Sequence, residues 1–237
     1  MSRIAARLDL EPATWRAIVR QSSTISVSLI PFGLAFGVAC VHAQLNWGQA
    51  VAFSTLVFTG GSQFAAVGVL GDGGAPSTAI AAGLLVAIRS FVYGLVMTPV
   101  LRGSLPFRIL ASHLTIDESV AISTAQPTDD IRAQRVGFLV GGLAVFALWN
   151  LSTVVGAIAF SNASSFIKTW GIDATIPAAF LALVWPRLGP PDQRRVAFGG
   201  AVIALCAIPL VPAGIPIVLS AFAVVGGLRR SAPKAGS

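Results

Sequence analysis

Three long stretches of this chain carry no charged side chain. Residues 21–71 run for 51 positions without one, 136–167 for 32 and 196–228 for 33. A helix that crosses a bilayer needs about 20 mostly apolar residues, so several crossings fit. Polar breaks divide the apolar runs into seven segments. Segment one covers 22–43 and contains Pro31 and the small-residue pair Gly33 and Gly37. Segment two covers 47–70 and is interrupted by Thr59-Gly60-Gly61-Ser62-Gln63. Segment three covers 77–101, and a polar stretch, 102–135, follows it. Segment four covers 136–160, with a second pair at Gly137 and Gly141. Segments five (175–186), six (196–211) and seven (215–228) are short.

This pattern predicts an all-α polytopic membrane protein with six to seven membrane segments, the second broken or re-entrant. It divides into a basic tail over 1–21, one membrane transport domain over 22–228 and a second tail over 229–237. The first 20 residues read as a partly helical cytoplasmic tail, retained and not cleaved as a leader.

Arginine placement orients the segments. Positive charge concentrates on the cytoplasmic side of short loops. With the N-terminal tail inside, the loops 42–46 and 71–76 lie outside and carry no Lys or Arg. That needs segment two to enter and leave on one side. Segment three then runs inward and leaves Arg102, Arg108, Arg132 and Arg135 inside. Arg187, Arg194, Arg195 and the C-terminal tail follow them, and only Lys168 is left outside. Non-helical backbone at membrane depth is tolerated where protein or a water-filled cavity surrounds it.

Composition agrees. The chain is 55% hydrophobic and 11% charged, with mean hydropathy +0.81; soluble domains carry about 25% charged residues. The net charge of +7 sits in short clusters at the ends of apolar runs. That distribution argues against a nucleic-acid interface. Cys40 and Cys206 lie inside apolar runs and read as packing residues. No zinc spacing, phosphate loop or dinucleotide fingerprint is present, so neither a metal nor a cofactor is expected. No nucleophile elbow appears, and a Ser62–His113 hydrolase pair has no supporting spacing, so no enzyme is expected.

Four features carry candidate chemistry. Arg89 is the only charge between Gly73 and Leu101. Near a bilayer midplane such a cation costs about 2.5–3.5 kcal/mol on insertion scales and marks a functional site. Its fork suits a carboxylate, although pairing with an intramembrane acid is the structural alternative. Tyr93 shares its helix face, four residues on. The break Gly60-Gly61-Ser62-Gln63 exposes backbone groups of the kind that hold substrates in transporters; a tight helix crossing is the alternative. Asp117 and Glu118 are adjacent carboxylates and candidates for a coupling proton, unless the polar stretch is a solvated loop. Asp173 reads as a helix N-cap, and Asn150 as a side chain bonding across helices.

Ile30-Pro-Phe-Gly-Leu-Ala-Phe-Gly, Phe58-Thr-Gly-Gly-Ser-Gln-Phe-Ala-Ala and Arg89-Ser-Phe-Val-Tyr resemble the AzlC-type large subunit of bacterial branched-chain amino acid exporters. Asp117-Glu-Ser, Gly171-Ile-Asp with the following Pro-Ala-Ala-Phe, and Ala213-Gly-Ile-Pro-Ile extend the likeness, in order, over nearly the whole chain. The resemblance implies an inner-membrane permease with seven spans that expels valine, leucine, isoleucine and sometimes methionine. It also implies a small hydrophobic AzlD-type partner. The expected substrate site combines Arg89, Tyr93, Gly60, Gly61, Ser62, Gln63, Pro31 and Gly33. Small residues of segments one and four would form its apolar wall. A proton gradient would drive export through Asp117 or Glu118. A passive channel, an assembly subunit for the partner and an exporter of another small amino acid remain alternatives.

Overall fold

The computed structural model describes residues 10–160, 181, 185–212 and 215–223. Lys168, Asp173, nearly all of segment five and the end of segment seven lie outside these residues. Among the described residues every regular element is helical.

The first helical rod runs from Pro12 to His42 as α1 (Pro12–Ser28) and α2 (Ile30–His42). It starts ten residues before the predicted segment. Leu29 interrupts it, because Pro31 has no N–H to continue the ladder. Helix α3 (Trp47–Leu56) begins at a capping box in which Asn46 and Gln49 exchange side-chain and backbone bonds of 2.9 Å. After Val57, Phe58 and Thr59 the chain enters α4 (Gly60–Gly71). Helix α5 (Pro76–Met97) follows, then α6 (Leu105–His113), α7 (Asp117–Thr124) and the 30-residue α8 (Ile131–Phe160). A short 3-10 turn at Trp185–Leu188 precedes α9 (Pro191–Ala207) and α10 (Ile215–Ser220). Among the described residues, three helices are long and apolar enough to cross a membrane: Pro12–His42, Pro76–Met97 and Ile131–Phe160.

The α1–α2 rod and α8 run parallel. Ile18 packs with Ala133, Val136 and Val140 at one end. Further along, Gly33 meets Trp149 and Ser152, and Gly37 meets Thr153 and Ala157. A Cβ on Gly37 would lie 2.6 Å from the Ala157 nitrogen, and one on Gly156 would strike the Leu34 carbonyl. Glycine is required here because the two backbones touch, the expected use of a small-residue pair. Helix α5 runs the opposite way. Pro76 follows Gly71 at the far end, and at the near end Arg135 donates to Val100 O (2.7 Å) and Arg102 O (2.8 Å).

Two helical hairpins enter this frame from opposite ends. In α3–α4, a Cβ on Gly71 would lie 3.0 Å from the His42 ring and 3.9 Å from Ala43 Cα. The hairpin therefore closes next to where it began. Its tip reaches the middle of α8, where Phe58 meets Phe146 with ring centroids 5.0 Å apart. The predicted break in segment two is thus the tip of a hairpin, and Gly60–Gln63 form the first turn of α4.

The second hairpin, α6–α7, corrects the reading of 102–135 as a solvated loop. It leaves the end that holds Arg102 and Arg135. It climbs until Leu114 packs on Gly142 and His113 on Phe146, 5.9 Å between centroids. It then descends, with Ile122 on Gly137 and Ser123 Oγ donating to Gln134 O at 2.9 Å. Gln126 closes the base by donating to Gln21 Oε1 (3.1 Å) and Ile122 O (2.9 Å). The stretch is polar because its base is wet and its tip carries charge, but Leu114, Ile116, Val120 and Ile122 are buried. The two tips touch, with the Phe58 and His113 rings 6.0 Å apart.

Candidate functional site

Each hairpin turns back through a helix N-terminus, and both N-termini stop at the same depth. Helix N-termini carry unpaired N–H groups and a partial positive charge. At α4 the N-cap Thr59 makes no side-chain cap bond, and its buried hydroxyl has no partner among the described residues. At α7 Ser119 turns back to the chain, accepting from Ile116 N–H at 3.1 Å and donating to Leu114 O at 2.6 Å. Asp117 and Glu118 occupy its first turn.

Arg89 projects from the middle of α5 between the two N-termini. Its Nη1 donates to Asp117 Oδ2 at 2.7 Å. Its Nη2 faces α4 so closely that a Cβ on Gly61 would lie 2.8 Å away. Its Nε is buried without a hydrogen-bond partner among the described residues. The side chains are 33% (Arg89) and 21% (Asp117) exposed, so the pair is mostly covered by the protein.

The pair borders a cavity of about 260 Å³. Its polar groups are Thr59, the Gly60–Gly61 backbone, Arg89, Ser90, Asp117 and Glu118. Leu29, Phe58, Val86, Ile116, Val145 and Trp149 complete the wall. Trp149 is only 5% exposed, and its indole N–H has no partner among the described residues. The space offers a guanidinium, two carboxylates and two helix N-termini beside an apolar wall. A small zwitterion with an apolar side chain matches that set. A larger cavity, about 590 Å³, lies at the basic end of α5 and α6. Arg102, Arg108, Ser112 and Thr115 border it, and Thr115 is two residues from Asp117.

Gly60, Gly61, Arg89, Asp117 and Glu118 are therefore brought together. Other candidates stand elsewhere. Tyr93 packs against the main core cluster. Gln63 is fully buried and donates to Phe53 O (3.3 Å) and Ser54 O (3.2 Å), closing the last turn of α3. Ser62 is buried beside a separate apolar groove between the first hairpin and α5. Pro31 is exposed, and Gly33 is occupied by its contact with α8. The apolar wall is also not built from the small residues of segments one and four. Those glycines hold helices together, and large side chains form the wall. Asn150 donates to Phe146 O of its own helix at 2.8 Å, and among the described residues it makes no bond across helices. Val145 and Trp149, one turn apart on α8, could have been read as a shared face. Leu29 and Phe58 gave no local signal, since each reaches the cavity only through a bend in the chain.

A family model described as AzlC protein matches residues 24–162, a span that contains every residue of this cavity. The chain is similar to the inner membrane protein YgaZ of Escherichia coli (strain K12), with 26% identity over 226 residues, 91% of this chain and 89% of that one. It is also similar to a membrane protein of Helicobacter pylori, with 24% identity over 192 residues (79% and 82%). A membrane protein of Archaeoglobus fulgidus shares 28% over 192 residues (80% and 83%). No solved structure matches. The family match spans both hairpins and the helices that frame them, and by that match the chain belongs to the AzlC family.

Proposed function

We propose that this protein is a non-enzymatic, multi-pass permease subunit of the bacterial inner membrane that exports branched-chain amino acids. One observation carries the reading: Arg89 and the N-termini of α4 and α7 converge on an apolar-walled cavity at mid-depth. Half-helices whose N-termini face a midplane site are a recurring way to hold an anionic substrate group in transporters. The carboxylate goes to Arg89 and the Gly60–Gly61 amides, the ammonium to the acidic turn of α7, and the aliphatic side chain to Phe58, Val86, Val145 and Trp149. The wall is broad and featureless enough to accept valine, leucine, isoleucine or methionine.

In this reading α3–α4 and α6–α7 are re-entrant, the first from outside and the second from the cytoplasm. The α1–α2 rod, α5 and α8 cross fully. The cavity with Arg102 and Arg108 is the cytoplasmic approach. A proton gradient drives export, and an AzlD-type subunit completes the assembly. The alternative is a passive channel, favoured by the partial exposure of Arg89.

Counterflow of labelled valine in membrane vesicles tests the proposal. Arg89→Ala should abolish it while the protein still inserts at normal levels. Unchanged counterflow in that variant removes Arg89 from the binding site. Uphill accumulation under an imposed pH gradient separates a transporter from a channel, which only equilibrates.

A further inference from the structure

We propose that the cavity bordered by Arg102 and Arg108 holds the phosphate of an anionic phospholipid, whose acyl chains lie along the exposed apolar faces of α5 and α6. This rests on the bilayer placement of α5 and the second hairpin given above, and not on the identity of the substrate.

The cavity, about 590 Å³, lies between the end of α5 and one face of α6. Gly94 and Thr98 stand on one side of it, and Leu105, Ile109 and Ser112 on the other. No residue that borders it is acidic. Its hydroxyls have already given their protons to their own chain turns: Thr98 to Gly94 O (2.9 Å), Ser112 to Ile109 O (2.8 Å) and Thr115 to Ala111 O (3.2 Å). Two exposed guanidiniums are therefore what the cavity offers a polar ligand, and a guanidinium fork suits a phosphate.

The placement of the two cations is built into the turn between α5 and α6. Arg135 on α8 donates to Val100 O (2.7 Å) and Arg102 O (2.8 Å), and its guanidinium lies 5.6 Å from the centre of the Phe107 ring. Phe107 in turn covers Gly103, 2.8 Å from where a Cβ there would lie. The turn is thus pinned to α8, with Arg102 and Arg108 on either side of the pinned residues. Arg135 is a positioning residue for the pair.

Apolar surface continues from the cations. Phe91 extends the Gly94–Thr98 row one turn further from Arg102. Phe91, Leu95, Leu105, Ile109 and Leu110 are all exposed. Cations at the helix ends with bare apolar side chains beyond them match a phospholipid along its length, and each cation near a membrane surface adds attraction for anionic lipid. A free phosphate ion would engage the arginines and leave the apolar faces unused, whereas a phospholipid engages both. Bound there, the lipid lines the bilayer side of the approach to the substrate cavity.

Photoactivatable phosphatidylglycerol, with its diazirine beside the glycerol backbone, tests the site on the full-length protein in phosphatidylcholine nanodiscs. The wild type should be labelled within residues 91–115. Unlabelled phosphatidylglycerol should compete at least about fivefold better than phosphatidylcholine, the gain expected of one arginine at a membrane surface. Arg102→Gln/Arg108→Gln should lose that preference. Arg16→Gln/Arg20→Gln, which removes two exposed arginines of α1, should keep it. Neither inorganic phosphate nor leucine should compete. Labelling spread evenly over the arginine-bearing helix ends overturns the proposal, and this wild-type map decides the matter if the double variant does not insert. An unchanged preference in Arg102→Gln/Arg108→Gln, or an equal loss in both double variants, also overturns it. Competition by inorganic phosphate would make this a site for free anions, and competition by leucine a part of the substrate path; either result removes the lipid. Valine counterflow by the wild type reports on the permease reading separately, whatever the labelling shows.

Discussion

Gly61 and Arg89 stand so close that a single methyl group on Gly61 would lie 2.8 Å from Arg89 Nη2. The glycine is thus the seat of the guanidinium, and its lack of a side chain lets the cation lie against the α4 N-terminus. Gly61→Ala should push Arg89 off this position and lower valine counterflow at least tenfold, with normal insertion. Gly68→Ala, on the same helix with nothing within 4 Å of the added carbon, is the control and should leave transport intact. Equal transport by both variants would show that the contact is not needed.

The tip of the first hairpin depends on Gln63. Its amide closes the Ser54 carbonyl that α3 leaves open and shares the Phe53 carbonyl with the Val57 N–H, and a buried polar group without a partner costs about 1–3 kcal/mol. Gln63→Leu should therefore lower the thermal unfolding midpoint of the detergent-solubilised protein. Because Gln63 is fully buried and outside the cavity, Kd for leucine in the surviving folded fraction should stay near wild type. A large loss of affinity with unchanged stability would move Gln63 into the binding site.

Contact between α2 and α8 is backbone on backbone at Gly37 and Gly156. Gly37→Leu should destabilise by about 3 kcal/mol, the upper end for overpacking, because a backbone atom cannot move aside as a side chain does. Gly94→Leu, whose added carbon has nothing within 4 Å, should unfold at the wild-type temperature. Similar melting of the two variants would contradict the parallel pairing of α2 with α8.

Hairpin orientation is open to direct chemical test. After Cys40 and Cys206 are replaced, single cysteines at Gln44 and Asp72 should both react with an impermeant thiol reagent added outside intact cells. Cysteines at Ser104 and Thr128 should react only from the cytoplasmic side. Labelling of Gln44 and Asp72 from opposite sides would make α3–α4 a full crossing and return the count to seven spans.

Much of the frame is legible in the residues alone. Helix α5 and the body of α8 follow from apolar length, because a charge-free or nearly charge-free run of that size has few other fates. The break at Gly60 is legible from two glycines and a serine inside such a run. The second hairpin is not. Its residues are polar enough to resemble a loop, and each half is too short to show a clear period. Its burial comes from Gly137, Gly141 and Gly142 on a helix that follows it in the chain.

The sequence by itself determined that this is a helical membrane protein and that Arg89 needs a partner. A charge in an apolar run states its own cost, whatever surrounds it. Only the tertiary structure decided who that partner is. Asp117 lies 28 positions away on a hairpin that enters from the opposite end to Gly61, and the meeting of the two is fixed by how deep each hairpin reaches. That depth depends on packing against α8, on Phe146 and Trp149 for the first tip and on Gly142 and Phe146 for the second. No local pattern in 57–63 or 114–118 encodes it, because the distance between the tips is set by side chains that neither segment contains.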